Sequence, residues 1–218
     1  SSAMADMRAG KSLCLGAALR SPEIEKVAYL TPRGITPPAH LVIRKSDVER
    51  ITGGAKSVSL KTLLRRRDLS GTIGTIRPLG LGIDELIDKP QRRLKQVPTA
   101  QYGSLLQAVD AVRTDYTIEL PYVVGYFTGQ EVFKNDLVAI PLDEAVDLTP
   151  VYVACTRSPW GAQMIREMDT AIRAAIKEGK GIRTALLRWL PVKQQSDYAP
   201  RFDAYFKQRL TEAPPAAE

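Results

Sequence analysis

The chain has 218 residues, of which 44% are hydrophobic and 25% are charged, a balance typical of globular proteins with one large domain or two smaller lobes. It has no run of about 18 apolar residues and no basic start before an apolar block, so neither a membrane-spanning helix nor a signal peptide is predicted. The net charge of +7 is scattered, and its densest cluster, Lys61 with Arg65–Arg67, has no aromatic neighbours for base stacking. We therefore predict a basic surface and no binding of nucleic acid.

The residue types that catalysis and metal binding most often use are scarce in this sequence. There are two cysteines, Cys14 and Cys155, and one histidine, His40, which are too few for a metal site of their own. His40 follows two prolines on an apolar strand, which is a poor platform for a general base. No phosphate-binding loop, dinucleotide fingerprint or nucleophile elbow is present. We therefore predict a protein that is not an enzyme and needs no metal or cofactor.

The first 45 residues are predicted to form short elements. SSAMADMRAG is typical of a helix without a lead-in, so we expect the chain to begin inside an element. SLCLGAAL is almost fully apolar and predicts a buried strand. A helix is predicted to start at Ser21, Pro22 and Glu23, because serine caps helices and proline favours the first helical position. The segments that follow are an extended piece KVAYLTP, a connector PRGITPP and a strand AHLVIRKSD.

The middle of the chain alternates between two kinds of segment. Helices are predicted at SLKTLLRR, LGIDELID, AQYGSLLQAVDAVRTD and PYVVGYFTGQ. Strands are predicted at DLSGTIGTI, RLKQVPT, YTIEL and DLVAIPL. This alternation predicts an α/β fold with a parallel sheet.

The C-terminal part is predicted to be helical after one longer apolar strand, DLTPVYVACTRSP. GAQMIREMDTAIRAAIKEG has the period of an amphipathic helix. The residues of its apolar face are Met164, Ile165, Met168, Ala171, Ile172 and Ile176. GIRTALLRWLP and YAPRFDAYFKQRL are further helices, and TEAPPAAE is predicted to be a disordered tail.

The order of these elements predicts two lobes. An incomplete α/β region leaves by one strand at 41–45, a module of about 100 residues follows, and a second strand at 150–156 returns. We therefore assign 1–42 and 150–218 to lobe 1 and 43–149 to lobe 2. Two crossing strands between two lobes are typical of a hinge, and the cleft between lobes is a common ligand site.

This arrangement resembles the periplasmic solute-binding proteins, in the branch of extracellular solute-binding proteins of family 3. The resemblance spans nearly the whole chain. The segments that carry it are the turn SPEIEKVAYLTP, the outgoing hinge strand HLVIRKSD, the lobe 2 strand and loop LSGTIGTIRPLG, the segment AVRTDYTIELPYVVGYF and the return strand LTPVYVACTRSPWG. The resemblance implies a two-lobed type II periplasmic-binding-protein fold. Relative to the family, lobe 1 is expected to be truncated at its N-terminus, without the usual strand, helix and second strand.

The resemblance also implies a function. A periplasmic protein of this kind captures a small polar solute, amino-acid-like or another small molecule, and delivers it to a membrane permease for ABC-type uptake. The alternative is a ligand-sensing or regulatory module on the same fold, with a sensor partner. By the same resemblance we expect a monomer that closes on its solute by a hinge motion.

The residues that would bind a ligand carboxylate differ from the family's pattern. In the amino-acid binders an arginine in the first turn forms two parallel hydrogen bonds with that carboxylate, and this position corresponds here to Ile24, which cannot do so. Arg20 in lobe 1 and Arg77 in lobe 2 are the candidate replacements. Arg77 follows a strand, at the end where ligands bind in α/β folds. We therefore predict that a standard α-amino acid is not bound in the standard way.

Four further residues complete the predicted site in lobe 2. Glu119 matches the family's cleft carboxylate and is expected to hold a ligand ammonium group. Leu79 and Gly80 replace the usual hydroxyl side chains, and their backbone N–H groups are candidates for binding an anion. Tyr122 is a candidate for an apolar wall of the site.

The two cysteines acquire a specific expectation from the resemblance. Cys14 lies on a lobe 1 strand, and the strand of Cys155 runs beside it in this fold. A Cys14–Cys155 disulfide is therefore possible in an oxidising periplasm, and two buried free thiols are the alternative.

Overall fold

The structure is a computed structural model that describes residues 2–75, 79–80, 82–88, 93–99, 101, 103–130, 133–145 and 148–217. The helices are α1 Ser2–Arg8, α2 Pro22–Glu25, α3 Val48–Thr52, α4 Leu60–Arg65, α5 Asp84–Ile87, α6 Ser104–Asp110, α7 Pro121–Thr128, α8 Pro159–Lys177, α9 Ile182–Arg188 and α10 Val192–Arg209. The strands are β1 Cys14–Ala18, β2 Ala28–Thr36, β3 His40–Arg44, β4 Gly71–Gly74, β5 Leu94–Val97, β6 Thr117–Glu119, β7 Leu137–Pro141 and β8 Thr149–Thr156. Among the described residues, no helix combines the length and the apolar content that a membrane crossing requires.

The chain divides into two compact units. Unit 1 comprises Ser1–Thr36, Thr149–Arg188 and Val192–Glu218, and unit 2 comprises Pro37–Leu148 and Trp189–Pro191. Strand β3, expected from the sequence to lead out of lobe 1, lies within unit 2, where it pairs with β6 and β7.

Unit 1 is built on a three-stranded sheet in the order β1–β8–β2, and both pairings are antiparallel. The parallel sheet was predicted for the middle of the chain, and unit 1 differs from it in having antiparallel pairings. Strand β2 also runs through Pro32 and Gly34, in the segment that the sequence assigned to a connector. A proline is tolerated here because β2 is an edge strand, and the register with β8 shifts between Pro32 and Gly34. A side chain at Gly34 would approach Ile182 to 2.6 Å, so α9 packs directly on this strand.

The N-terminal elements of unit 1 follow the sequence prediction closely, with one exception. Ser21 caps α2 by accepting a hydrogen bond from the backbone N–H of Ile24, and Pro22 occupies the first turn. Strand β1 was expected to be buried, but Gly16 and Ala17 are exposed. β1 is an edge strand, so it meets a neighbouring strand along one side only.

Helix α8 packs on the sheet of unit 1 through part of the expected face, namely Ile165 with Met164 and Ile172 beside it. Its buried side chains include Ile165 and Asp169, whereas Met168 is 40% exposed. Asp169 accepts hydrogen bonds from Thr31 and from Arg173, and it forms a buried ion pair with Arg209 of α10. The polar network therefore fixes α10 to the sheet.

The C-terminal tail was expected to be disordered but is held against α8. Arg173 donates from Nη2 to the carbonyl of Ala213 at 3.2 Å, and Arg166 donates to the carbonyl of Ala217 at 2.8 Å. These side chains bind main-chain oxygens, so the tail's own composition does not reveal the contact.

Unit 2 contains two sheets, β6–β3–β7 and β4–β5, linked by a parallel bridge between Gly71 and Tyr116. The strands therefore follow the order β5–β4–β6–β3–β7. Strands β4, β5 and β6 run parallel, as expected, whereas β3 is antiparallel to both β6 and β7.

Both faces of the β3 region are covered. One face belongs to the main core cluster, which contains Leu41, Ile43, Tyr116 and Ile118. The other face packs Val42 against α6 and α7. Every residue of β3 is buried, and its three central residues form a continuous apolar run between His40 and Arg44.

Candidate functional site

The candidate site lies in unit 2, where the parallel strands β4, β5 and β6 end. The carboxyl ends of parallel strands are the usual ligand position in α/β folds. A small cavity is found there, and it is lined by Gly74, Leu79, Thr99, Gln101, Gly103, Leu105, Ile118 and Glu119. Its volume is about 10 Å³, which is room for roughly one water. A group as small as an ammonium matches this space, so unit 2 offers a head-group site.

Glu119 is the charged side chain of this cavity and is only 4% exposed. It is the last residue of β6, and helix α7 begins two residues later at Pro121. Its Oε1 accepts a hydrogen bond of 2.6 Å from the backbone N–H of Leu120. The positive end of the helix dipole favours a carboxylate at this position. The structure therefore places a buried anion at the cavity, suited to a positively charged ligand group.

Leu79 lines the same cavity as Glu119. The backbone N–H groups around Leu79 already bind a carboxylate of the protein itself. The N–H groups of Leu79 and Gly80 donate to the two carboxylate oxygens of Asp84, at 2.9 and 3.0 Å. Gly80 has a φ of +113°, which favours glycine, and this conformation aims two successive N–H groups at one side chain. The sequence predicted these N–H groups as an anion site for the ligand, whereas in the structure Asp84 binds them.

The wall of the site is supported by α6 and α7. Gly103 precedes α6 with a φ of +88°, and a side chain there would meet Phe127 of α7 at 2.7 Å. This close approach keeps the Gly103 edge of the cavity narrow. Tyr122, the predicted apolar wall, is half-buried at the start of α7 and does not line the cavity.

The two arginines predicted to bind an anion are Arg20 and Arg77. Arg77 lies outside the described residues. Arg20 is exposed in unit 1, and its Nε donates to Glu25 at 2.7 Å, which raises the pKa of the guanidinium. Ile24, which the resemblance matched to a carboxylate-binding arginine, is 6% exposed and packs with Met7. It is a core residue of unit 1.

Cys14 and Cys155 are directly opposite each other on β1 and β8, and the structure joins their sulfurs in a disulfide. Their Cα atoms are 4.1 Å apart, and 141 residues separate them in sequence. The bond connects the two distant segments that form the sheet of unit 1.

The sequence argued against His40 as a catalytic residue. The structure nevertheless places His40 next to the candidate site. It is the cross-strand partner of Glu119 and is 1% exposed. Its Nδ1 lies 2.9 Å from the carbonyl oxygen of Pro38, and its Nε2 has no hydrogen-bond partner among the described residues. Burial lowers the pKa of the imidazole, and the contact with Pro38 only partly opposes this shift. The alternation of β3 and β6 brings these side chains to one face, which a one-dimensional sequence does not show.

The chemistry available at this site is recognition of a small cationic group. It offers the Glu119 carboxylate and a lining of both polar and apolar residues, and His40 is the cross-strand neighbour of Glu119. Among the residues that the structure describes, no cluster of three or more potential metal ligands occurs.

Comparisons with known proteins reveal similarity at the level of structure. No protein-family profile matches the sequence, and no curated protein is significantly similar to it in sequence. The ancestral amino acid-binding protein AncCDT-1, a precursor of cyclohexadienyl dehydratase, has a TM-score of 0.61 and 13% identity, over 86% of this chain and 73% of that chain. An amino acid ABC transporter substrate-binding protein from Streptococcus pneumoniae, bound to L-arginine, has a TM-score of 0.59 and 13% identity, over 99% and 73% of the two chains.

A third solved structure is a histidine kinase sensor domain with similarity to periplasmic binding proteins. It has a TM-score of 0.58 and 14% identity, over 91% of this chain and 73% of that chain. These likenesses confirm the fold class predicted from the sequence: the chain has the α/β fold of the type II periplasmic binding proteins.

Proposed function

We propose that this protein binds a small polar solute that carries an ammonium group, with Glu119 as the residue that holds that group. The observation that carries the proposal is a buried carboxylate at the carboxyl end of β6, at a cavity of head-group size. Charge-assisted hydrogen bonds between a carboxylate and an ammonium are among the stronger polar contacts in proteins. The fold supports the same conclusion, because solved structures that share it include amino-acid-binding proteins.

The bound solute is proposed to need no α-carboxylate. Three groups that would hold a carboxylate are engaged or replaced: Ile24 is in the core, Arg20 is paired with Glu25, and Asp84 occupies two backbone N–H groups. A ligand carboxylate near Asp84 and Glu119 would meet like charges. A cationic solute without a carboxylate fits this electrostatic pattern better than a standard amino acid.

The proposed role is uptake of the solute by an ABC-type permease from the periplasm. One solved structure with this fold is an amino acid ABC transporter substrate-binding protein. A second candidate is a sensing module, and the observation that favours it is the shared fold of a histidine kinase sensor domain. In either role we propose binding without catalysis, so the solute should be recovered chemically unchanged after incubation.

The proposal is tested by comparing L-arginine with agmatine, its decarboxylated analogue. Isothermal titration should show agmatine binding at least as tightly as L-arginine, because the carboxylate contributes no favourable contact. Glu119→Gln should weaken the affinity for agmatine by a factor of about ten or more, since it removes the charge of the side chain and keeps its shape. Glu49→Gln is the matched control: Glu49 is an exposed carboxylate of unit 2 away from the cavity, and its removal should leave the affinity unchanged.

Two results would contradict the proposal. Tighter binding of L-arginine than of agmatine would show that a carboxylate site exists after all. Equal agmatine affinity in the wild type and in Glu119→Gln would show that Glu119 does not bind the solute.

A further inference from the structure

Unit 1 contains a larger cavity that the proposed solute function does not use. It has a volume of about 410 Å³, within the range of small-molecule sites. It lies among the C-terminal end of α8, the turn after it, α9 and the last turns of α10. The lining residues are Ile176, Gly179, Lys180, Arg183, Asp203, Phe206, Lys207 and Leu210.

The apolar part of this cavity is preformed. Phe206 is 7% exposed, and a side chain added at Gly34 of β2 would lie 3.5 Å from its ring. The ring also packs edge-to-face on Tyr205, with ring centroids 5.3 Å apart. Ile176 and Leu210 are half-buried beside it. The base therefore holds its shape without a ligand and offers an apolar surface.

The polar part of the cavity has an excess of positive charge. Arg183 is paired with Asp203 through hydrogen bonds of 2.5 and 3.1 Å, and Lys180 is paired with Glu178 at 2.9 Å. The ammonium of Lys207 has no ion pair or hydrogen bond within the described part of the chain. One cationic side chain thus stands unmatched beside an apolar base.

A cavity of similar size in unit 2 differs from the unit 1 cavity in the pairing of its cationic side chain. Its volume is about 420 Å³, and Lys45 is the cation that lines it. Lys45 is paired there with Asp136 at 3.4 Å, so its charge is neutralised within the cavity. Only the unit 1 cavity, of these two, combines an apolar base with an unmatched cation.

We infer that the unit 1 cavity binds a small amphipathic anion, namely a carboxylate with an aryl or alkyl body. The apolar body would lie on Phe206, Ile176 and Leu210, and the carboxylate would reach Lys207, with Lys180 nearby. An exposed ammonium alone gives weak affinity, and burial of the apolar body supplies the rest. The inference concerns unit 1 and is independent of the proposed solute site.

The test uses 3-phenylpropionate as the probe and its uncharged amide, 3-phenylpropanamide, as the comparison. In a methyl NMR titration of the whole chain, 3-phenylpropionate should shift the signals of Ile176 and Leu210, with a dissociation constant on the order of 1 mM. The amide should bind about fivefold more weakly, because it lacks the ion pair with Lys207.

Variants of single residues then identify which side chains contact the probes. Lys207→Gln should weaken 3-phenylpropionate about fivefold and leave the amide unchanged. Lys26→Gln, which removes another exposed lysine of unit 1, is the matched control and should change neither affinity. Ile176→Trp should fill the base and abolish binding of both probes, and its circular dichroism melting curve verifies that the variant is folded.

Three outcomes would overturn the inference. The first is a titration in which the Ile176 and Leu210 methyl signals do not move. The second is equal affinity for the acid and the amide. The third is an equal loss in Lys207→Gln and Lys26→Gln, which would indicate attraction by the overall charge rather than a site.

Discussion

Two carboxylates are buried almost equally in the two units: Asp169 is 3% exposed in unit 1 and Glu119 is 4% exposed in unit 2. Asp169 is surrounded by cationic and hydroxyl donors from its own unit, namely Thr31, Arg173 and Arg209. Glu119 accepts a hydrogen bond from the backbone N–H of Leu120 at a helix start, and it lies at a cavity and opposite His40. Burial alone therefore does not identify a binding residue. The neighbours decide, because a carboxylate with two guanidinium partners is a structural element.

The pKa of Asp169 agrees with this assignment. Burial raises the pKa of its carboxyl, but the hydrogen bonds from Thr31, Arg173 and Arg209 outweigh burial and hold it below its ordinary value. A carboxyl with a lowered pKa stabilises the fold above its unfolded pKa, near 4, and this stabilisation is lost as the pH falls further. The network is therefore intact at neutral pH.

The largest effect is expected when the buried ion pair of unit 1 is broken. Arg209→Met should lower the free energy of unfolding by about 3–5 kcal/mol, because Asp169 keeps its charge and loses a buried partner. Urea denaturation measures this loss. Arg20→Met breaks an exposed ion pair and should cost at most about 1 kcal/mol. Equal costs for the two variants would show that the buried network is not the structural element described above.

Removal of the disulfide is expected to have the next largest effect. The double variant Cys14→Ala, Cys155→Ala should lose about 2–5 kcal/mol of unfolding free energy, because the bond closes a long loop in the unfolded chain. Alkylation of the wild type without reductant, followed by mass spectrometry, should label neither cysteine. Two labelled cysteines would mean that unit 1 holds its sheet together without this bond.

A smaller effect is expected from the histidine beside Glu119. The pKa of His40 is lowered by burial, so below about pH 6.5 the unfolded chain binds a proton more readily than the folded chain does. Stability should therefore fall as the pH drops below this value, by at most about 1.4 kcal/mol per pH unit. Urea midpoints measured from about pH 7.5 to 5.5 should show this slope in the wild type and a flatter one in His40→Gln. The same slope in both would mean that His40 is not the group that titrates.

The smallest effect on stability is expected at Glu119 itself. Glu119→Gln keeps an oxygen to accept the N–H of Leu120, so the melting temperature should remain within a few degrees of the wild type. Differential scanning calorimetry checks this. A loss as large as that of Arg209→Met would show that Glu119 is a structural residue like Asp169, and the contrast between the two units would disappear.

Local signals in the sequence predicted much of the fold. Ser21 caps α2 by accepting the backbone N–H of Ile24, as its position before Pro22 predicted. Other local predictions were wrong where distant groups intervened: Pro32 and Gly34 belong to β2 because that strand is at an edge, and the tail is held by Arg173 and Arg166.

The predicted site shows the same division. Glu119 and Leu79, which the resemblance placed in the predicted site, line one cavity. The role of Asp84 was missed, because its carboxylate reaches backbone groups four and five residues earlier only when Gly80 takes a positive φ. His40 was missed as a neighbour of Glu119 because strand register is set by pairing between residues far apart.

The sequence by itself determined the order of strands and helices, which depends on local residue types and their spacing. It also indicated the fold class, through its resemblance to a known family. Only the tertiary structure decided which groups surround each buried charge and which of these charges lies at a cavity. That distinction depends on long-range contacts, such as Asp169 with Arg209 and Glu119 beside His40, and spacing along the chain does not encode them.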